Sequence, residues 1–205
     1  MRQCVFVIGT RAQLVKLAPV LTLASAAGLK HSVWFTQQGS EPIDDLLSDL
    51  GIKPGLVHSG EQRQRLGILN RLTWLPVALL GCYRYVHSLR IWTQSAPLVV
   101  VHADTLSSFI GALAGRFAGG WIVHLESGVS SGKIADPFPL ELMRRFIFRL
   151  TNFALCDDDE AYARMRRYHC KVVHTSAVVP AVQSDSQDST SLPERIVNSL
   201  AGWSR

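Results

Sequence analysis

Hydrophobic residues along the chain fall into two kinds of segment that alternate with each other. Short apolar runs rich in Val and Ile, without regular apolar–polar alternation, are typical of strands buried on both faces. Longer segments between them repeat Leu and Ala every three or four residues, which predicts helices. The predicted strands are residues 4–9, 31–37, 98–104, 121–127, 153–158 and 171–176, and the predicted helices include 12–27, 105–117 and 140–150.

This alternation predicts an α/β fold, a Rossmann-like doubly wound parallel sheet with helices on both faces. Such sheets bind ligands in a crevice beyond the carboxyl ends of their strands. Ionisable side chains gather at those ends: Arg11 follows the first strand, His102 and Asp104 end the third predicted strand, and His124 and Glu126 end the next. The sequence therefore predicts a polar site at this edge.

The C-terminal part of the chain has a different composition. Residues 183–191 read as a polar linker, and residues 192–203 as a short helix capped by Thr190 or Ser191. We therefore expect a Rossmann-like domain over residues 1–180, with a linker and helix over 181–205. The segment 60–92 mixes arginines with Leu, Trp and Tyr. Core-helix packing with arginines at the rim is the favoured interpretation, and a membrane-interfacial surface is the alternative.

Composition narrows the class of protein further. A net charge of +5 over 205 residues favours an anionic partner such as a phosphate ester, a nucleotide or an acidic membrane. Four widely spaced cysteines without a CxxC pair predict reduced thiols in a cytoplasmic protein, and neither a disulfide framework nor a metal site. Arg11 and Lys16 come too early for a signal peptide, and the longest apolar stretch falls short of the roughly 20 residues that cross a bilayer.

Each candidate residue has an ordinary structural alternative. Arg11 and Lys16 either clamp an anion at a helix N-terminus or are solvated surface cations. Asp104 is either a helix cap or a crevice-facing acid, and Glu126 either an acid/base group or a solvated loop carboxylate. His102 and His124 are ligand contacts or satisfied core histidines, and Arg144 binds phosphate or faces water.

Four motifs stand in register between about residues 4 and 176. They are GTR with Lys16, VHADT at 101–105, HLESG at 124–128 and SGKIADPFPLELMRR at 131–145. In order and spacing the chain resembles the N-terminal domain of the non-hydrolysing UDP-N-acetylglucosamine 2-epimerases. The resemblance implies a GT-B-type architecture of two Rossmann-like domains, of which this chain lacks most of the second.

The resemblance also implies a chemistry, an isomerase reaction on a UDP-sugar in cell-surface polysaccharide biosynthesis. UDP is eliminated and added back, which inverts C2 of the sugar. Asp104 and Glu126 are then the acid/base candidates, and Arg11 and Lys16 assist the diphosphate. His124 shapes the pocket and Arg144 contacts the substrate. No metal or other cofactor is expected.

Three departures from the family pattern bear on activity. Leu140 stands where the family has a further catalytic carboxylate, Ser130 replaces an Arg, and Ala12-Gln13 replace a Pro-Glu pair. We therefore expect the chain to be incomplete or inactive alone. Its expected partners are a UDP-sugar and either a second chain supplying the missing domain or another copy of itself, with no nucleic acid.

Two alternative functions remain open. One is the acceptor- and membrane-binding half of a split GT-B glycosyltransferase, with residues 63–90 in peripheral contact with the membrane. The other is a non-catalytic sugar-nucleotide-binding module, which Leu140 favours because a Leu side chain exchanges no proton.

Overall fold

The fold was described from a computed structural model. It describes residues 2–36, 43–53, 56–59, 67–132, 139–175 and 191–204, with backbone only for 67–73. The strands are β1 (Cys4–Ile8), β2 (His31–Phe35), β3 (Val57–Ser59), β4 (Leu98–His102), β5 (Trp121–Leu125), β6 (Phe153–Cys156) and β7 (Lys171–His174). The helices are α1 (Arg11–Ala26), α2 (Asp44–Asp49), α3 (Gly67–Thr93), α4 (Leu106–Phe117), α5 (Leu140–Leu150), α6 (Asp159–Met165) and α7 (Leu192–Ser204).

All strands of the described sheet are parallel, in the order β3-β2-β1-β4-β5-β6-β7. The chain winds outward from β1 to β3 and then crosses back to β4 on the other side of β1. This order confirms the predicted doubly wound Rossmann-like fold. It also creates a topological switch point between β1 and β4, where open parallel sheets bind their ligands.

Both faces of the sheet are covered by helices, as the continuous apolar strands predicted. Cys4, Phe6 and Ile8 of β1 face one hydrophobic core, which α1, α2 and α7 cover. Val5 and Val7 face a second core beneath α3 and α4. Because neighbouring residues of one strand point to opposite faces, burial on both sides requires the unbroken apolar runs seen in the sequence.

Helix α4 lies close against the sheet, and a glycine makes this approach possible. A Cβ atom placed on Gly111 would come within 2.8 Å of side-chain atoms of both Val101 and Val7. The side chain of any other residue would push α4 off β1 and β4. Since α4 begins directly after Asp104, this packing also fixes the helix that follows the candidate site.

Helix α7, predicted as a short C-terminal helix, packs against the body of the sheet. Its Leu200 is fully buried, Trp203 stacks on Phe153 with ring centroids 4.3 Å apart, and Arg2 N donates to Ser204 O at 2.7 Å. Glu194 accepts the backbone N–H of Ser191 at 2.7 Å and closes the capping interaction at its start. Of the predicted linker, residues 183–191, all but Ser191 lie outside the described residues, so the division at residue 180 stays a prediction.

Two further sequence expectations concern cysteines and membrane spans. All four cysteines are unpaired, and burial raises the pKa of the Cys4, Cys82 and Cys156 thiols to about 12. Thiols with such a pKa stay protonated and unreactive at neutral pH. In the part of the chain that the structure describes, every helix is too short or too polar to cross a bilayer.

Candidate functional site

The candidate site begins where the β1–α1 and β4–α4 junctions meet, and Gln13 joins them. Its Nε2 donates to His102 O and to Thr105 Oγ1, both at 3.0 Å, and its Oε1 accepts from Gly9 N at 2.9 Å. Gln13 is buried, and it stands where the related family has a Glu. Its amide holds together the two strand ends that form the switch point.

Glu126 lies directly after β5 and is the centre of a small charged group. Its Oε1 accepts from Nε2 of the buried His102 at 3.0 Å and lies 3.6 Å from Lys16 Nζ. The hydrogen bond from His102, with the charges of His102 and Lys16, outweighs burial and lowers the pKa of the Glu126 carboxyl. The side chain is 34% exposed. Glu126 is thus an ionised carboxylate held at one oxygen and open to solvent.

The backbone beside this carboxylate adopts a conformation that ordinary residues rarely take. Glu126 has φ of 51° and Ala103, which follows β4, has φ of 54°. Such left-handed residues cost about 1 kcal/mol and cluster at functional sites. The two neighbouring strand ends therefore turn sharply at the same edge, which directs Glu126 and Asp104 out of the sheet.

Gly128 explains why the HLESG motif ends in glycine. Its φ is 92°, and a Cβ atom there would lie 2.6 Å from the backbone oxygen of Ala161 in α6. Arg164 of α6 also donates to Gly128 O. The turn that carries Glu126 is thereby packed against α6, and a residue with a side chain at position 128 would force the two apart.

His124 is buried beneath the two carboxylates and is neutral. Burial lowers its pKa to about 4, although the Ala103 hydrogen bond and the charges of Asp104 and Glu126 act in the opposite direction. Nε2 lies 3.1 Å from Ala103 O and Nδ1 lies 2.9 Å from Ser127 Oγ. Because a carbonyl oxygen only accepts, Nε2 carries the proton and Nδ1 accepts from Ser127. This places His124 as a satisfied support for the strained turns.

Asp104 belongs to a second charged group, which includes α5. Arg144 Nε donates to Asp104 Oδ2 at 2.8 Å, and Arg144 Nη2 contacts the same oxygen. Arg144 Nη1 also lies 3.3 Å from Glu141 Oε2. Asp104 remains 32% exposed, whereas Glu141 is fully buried. Arg144 therefore connects an outward-facing carboxylate to an inward-facing one.

Glu141 is surrounded by donors. Ser130 Oγ donates to its Oε1, Arg145 Nε lies 3.2 Å from the same oxygen, and Ser131 N donates to Oε2 at 3.3 Å. Burial raises the pKa of the Glu141 carboxyl, but these donors and Arg144 outweigh it and the net shift is downward. Ser130, where the family has an Arg, thus serves a buried carboxylate. Leu140 begins α5 beside it and brings no ionisable group.

The predicted residues meet as two groups at one edge. Lys16 joins Glu126, Arg144 joins Asp104, and His124 lies below both carboxylates. Arg11 is the first residue of α1. Thr105, rather than Asp104, caps α4 by accepting from Ser108 N at 3.1 Å, as the crevice-facing interpretation of Asp104 requires. The contact of His102 with Glu126 and the bridging by Gln13 were not predicted, because both depend on pairing between strands distant in sequence.

The fold and site together define a Rossmann-like domain with a cluster of ionisable side chains at its switch point. In the described residues, no three His, Cys, Asp or Glu side chains are placed to hold a metal ion. A sequence profile of the UDP-N-acetylglucosamine 2-epimerase family matches residues 87–184. The chain thus resembles the N-terminal domain that its motifs indicated.

Individual relatives give the same result. The UDP-N-acetylglucosamine 2-epimerase of Salmonella borreze is 28% identical over 160 residues, which are 75% of this chain and 38% of the relative. That of Bacillus subtilis (strain 168) is 31% identical over 144 residues, 68% of this chain and 34% of the relative. The chain therefore spans little more than a third of the length of these relatives.

A solved structure shows the likeness in three dimensions. The UDP-GlcNAc 2-epimerase from Neisseria meningitidis bound to UDP-GlcNAc superposes with a TM-score of 0.66 at 22% identity. The match covers 84% of this chain and 45% of that one. It confirms the GT-B-type fold of a single domain.

Proposed function

We propose that this chain forms the acid/base half of a site of the UDP-GlcNAc 2-epimerase type, acting on a UDP-sugar in cell-surface polysaccharide biosynthesis. One observation carries the proposal. Glu126 and Asp104 lie at neighbouring strand ends, each about one-third exposed and each tied through one oxygen. In the described part of the chain, their other oxygens, Oε2 and Oδ1, have no hydrogen-bond donor. Both carboxylates therefore keep an oxygen for a ligand.

This arrangement suits removal and return of a proton at a sugar carbon. A carboxylate takes the C2 proton, the C–H electrons form a C1=C2 double bond, and the C1–O bond to the diphosphate breaks. The lowered pKa keeps Glu126 ionised and ready to accept that proton at neutral pH. Return of a proton to the opposite face of C2, with re-addition of UDP at C1, completes the inversion. Asp104 is the second carboxylate for this step.

Positive charge beside the carboxylates suits a departing diphosphate. Lys16 is 63% exposed and lies on the solvent side of Glu126, and Arg11 starts the same helix. An α-helix N-terminus and two cations at one strand end attract phosphate oxygens. Arg144 remains a proposed substrate contact, although its guanidinium already holds Asp104.

A second candidate function is binding without turnover, and Leu140 favours it. Glu141, its neighbour, does not replace the missing carboxylate because its side chain is fully buried and points away from solvent. The chain also spans little more than a third of its relatives. We therefore propose that residues 1–205 bind a UDP-sugar but need a further domain, such as the rest of the longer relatives contains, for efficient turnover.

Calorimetry and isotope exchange test the two parts separately. We expect UDP-GlcNAc to bind and Lys16→Ala to weaken binding by about tenfold. Lys30→Ala, in the turn between the C-terminal end of α1 and β2, is the control and should have no effect. The absence of binding would overturn the proposal. Incubation in deuterated water then distinguishes the functions: deuterium at C2 that is lost in Glu126→Gln supports the epimerase, and binding without deuterium supports the non-catalytic module.

A further inference from the structure

Helices α3, α4 and α5 carry positive charge almost without negative charge. Between residues 62 and 125 the sequence contains six arginines, and Asp104 is its only carboxylate. Helices α3 and α4 contain no Asp or Glu, and the single one of α5, Glu141, is fully buried. By contrast, residues 157–160, at the start of α6, are four consecutive carboxylates. Positive charge is therefore concentrated on α3 to α5, and negative charge at the start of α6.

The same three helices expose most of the large apolar side chains. Seven of the eleven that are exposed in the described residues lie on them. Trp92 is 85% exposed, Phe117 71% and Ile91 62%. The remaining four of the seven are Val77, Leu80, Leu142 and Phe146.

The exposed sides of α3 and α5 each carry a stripe of apolar residues with one arginine among them. On α3 the exposed stripe runs Val77, Leu80, Arg84, Ser88 and Ile91, at steps of three or four residues. On α5 it runs Leu142, Phe146 and Arg149. Spacing of this kind places the members of each stripe on one helix face.

The three helices form one continuous layer. Arg90 Nη1 at the end of α3 donates to Ala118 O at the end of α4, at 3.1 Å. Phe109 of α4 meets Phe146 of α5 edge to face, with ring centroids 6.5 Å apart. We call the outer surface of this layer the α3–α5 face.

We propose that the α3–α5 face docks the protein on an anionic lipid bilayer. Arginine side chains reach phosphate headgroups while their stems lie along apolar neighbours, and Trp92 suits the boundary between headgroups and acyl chains. Aliphatic side chains such as Leu80 and Ile91 gain from hydrocarbon but not from a nucleic-acid backbone. A symmetric contact with a second copy would place this arginine-bearing face against itself. Charge therefore favours lipid over self-association.

The most exposed apolar residues of this surface lie away from the candidate site. Trp92 and Phe117 lie at the C-terminal ends of α3 and α4, just before β4 and β5 begin, whereas Glu126 and Asp104 lie at the opposite edge of the sheet. Docking through these ends leaves the edge with the carboxylates free. The proposal does not depend on the sugar-nucleotide function.

Flotation of the full chain with lipid vesicles tests the proposal. We expect it to float with vesicles of phosphatidylglycerol and phosphatidylcholine, and to stay in solution with phosphatidylcholine alone. The Trp92→Ser/Phe117→Ser double variant should lower the bound fraction at least about tenfold, because two large apolar groups are lost. Arg84→Glu/Arg149→Glu should also lower it about tenfold and should weaken its salt dependence.

Matched controls lie on the opposite side of the sheet. Val15→Ser/Leu192→Ser removes two apolar groups, 49% and 47% exposed, from α1 and α7, and Lys30→Glu reverses a charge in the turn between α1 and β2; both should bind vesicles as the unchanged chain does. Failure to float, or equal effects of face and control variants, would overturn the proposal. A dimer in analytical ultracentrifugation that the Trp92→Ser/Phe117→Ser variant abolishes, without flotation, would overturn it in favour of self-association.

Discussion

Glu126 and Glu141 lie at the same edge of the sheet but differ in how many of their carboxylate oxygens have hydrogen-bond partners. Both have a pKa lowered by hydrogen-bond donors. Glu141 is fully buried and accepts from Ser130, Ser131, Arg144 and Arg145 through both oxygens. Glu126 is one-third exposed and is tied through Oε1 alone.

The difference separates a structural carboxylate from one available for chemistry. A buried charge is tolerated when all its oxygens have partners, and it then joins the elements that supply them. Glu141 joins α5 to the loop after β5 in this way. An ionised carboxylate with a free oxygen at a solvent-facing edge contributes little to stability and can accept a proton from a ligand. Substitution of Glu141 should therefore lower stability, whereas substitution of Glu126 should lower activity and leave stability nearly unchanged.

The largest expected effect is the loss of the buried charge. Glu141→Gln should lower the free energy of unfolding by about 4 kcal/mol, because Arg144 and Arg145 lose their buried partner and an amide N–H₂ meets their N–H donors. Urea denaturation measures it. A loss below about 1 kcal/mol would show that Glu141 is not the structural member of the pair.

Acid sensitivity should come from His124, beneath Glu126, before it comes from either glutamate. The folded-state pKa of His124 is about 4, below its ordinary value of 6.5, so the unfolded chain binds the proton first as pH falls. Stability is therefore lost between pH 6.5 and 4, by about 3 kcal/mol in total. Urea midpoints over this range measure the loss.

His124→Gln is the variant that isolates this contribution. It should flatten the pH dependence between pH 6.5 and 4, whereas Glu126→Gln should leave the slope in place. The stability that Glu141 contributes, with its depressed pKa, is lost only below its ordinary value near 4.5. An unchanged slope in His124→Gln would contradict the assignment of a neutral, buried His124.

The sequence predicted the edge but not how its charges pair. Unbroken runs such as LVVVH and WIVHL predict strands, and parallel strands end at one edge, so Asp104 and Glu126 follow from periodicity and topology alone. Helix α3, within the segment interpreted as a core helix, contains Pro76, a helix breaker by local rules, inside its 27 residues. Packing over the sheet outweighs that local cost.

The role of Glu141 was not predictable from the pattern for a different reason. The motif match placed it as the second of two family glutamates, and α5 begins just before it. Its burial depends on Ser130 and Ser131 from another segment and on two arginines one turn along the helix. Such convergence of donors is a property of the folded chain. The role of Ser130, which stands where the family has an Arg, is likewise seen only in its hydrogen bond to Glu141.

A smaller effect sharpens the structural side of the comparison. Ser130→Ala should lower the free energy of unfolding by about 1.5 kcal/mol, the value of one hydrogen bond to a charged group. It should also raise the pKa of Glu141 toward its ordinary value near 4.5, so that less stability is lost as pH falls below that value and the difference from the unchanged chain shrinks near pH 4. Urea titrations at neutral pH and near pH 4 measure both changes. In the Glu141→Gln background the substitution should cost less, and full additivity would argue against a shared interaction.

The smallest effect on stability should come from substitution of Glu126. This variant tests whether Glu126 can be removed from the chemistry without unfolding the protein. Glu126→Gln should change the free energy of unfolding by less than about 1 kcal/mol, because the side chain is one-third exposed and its ion pair with Lys16 is at the surface. The amide oxygen still accepts from His102, so the turn at φ 51° is retained. Any deuterium exchange at C2 should be lost, because an amide does not take up the proton. A Glu126→Gln variant as unstable as Glu141→Gln would make Glu126 a second structural carboxylate and would leave Asp104 as the only acid/base candidate.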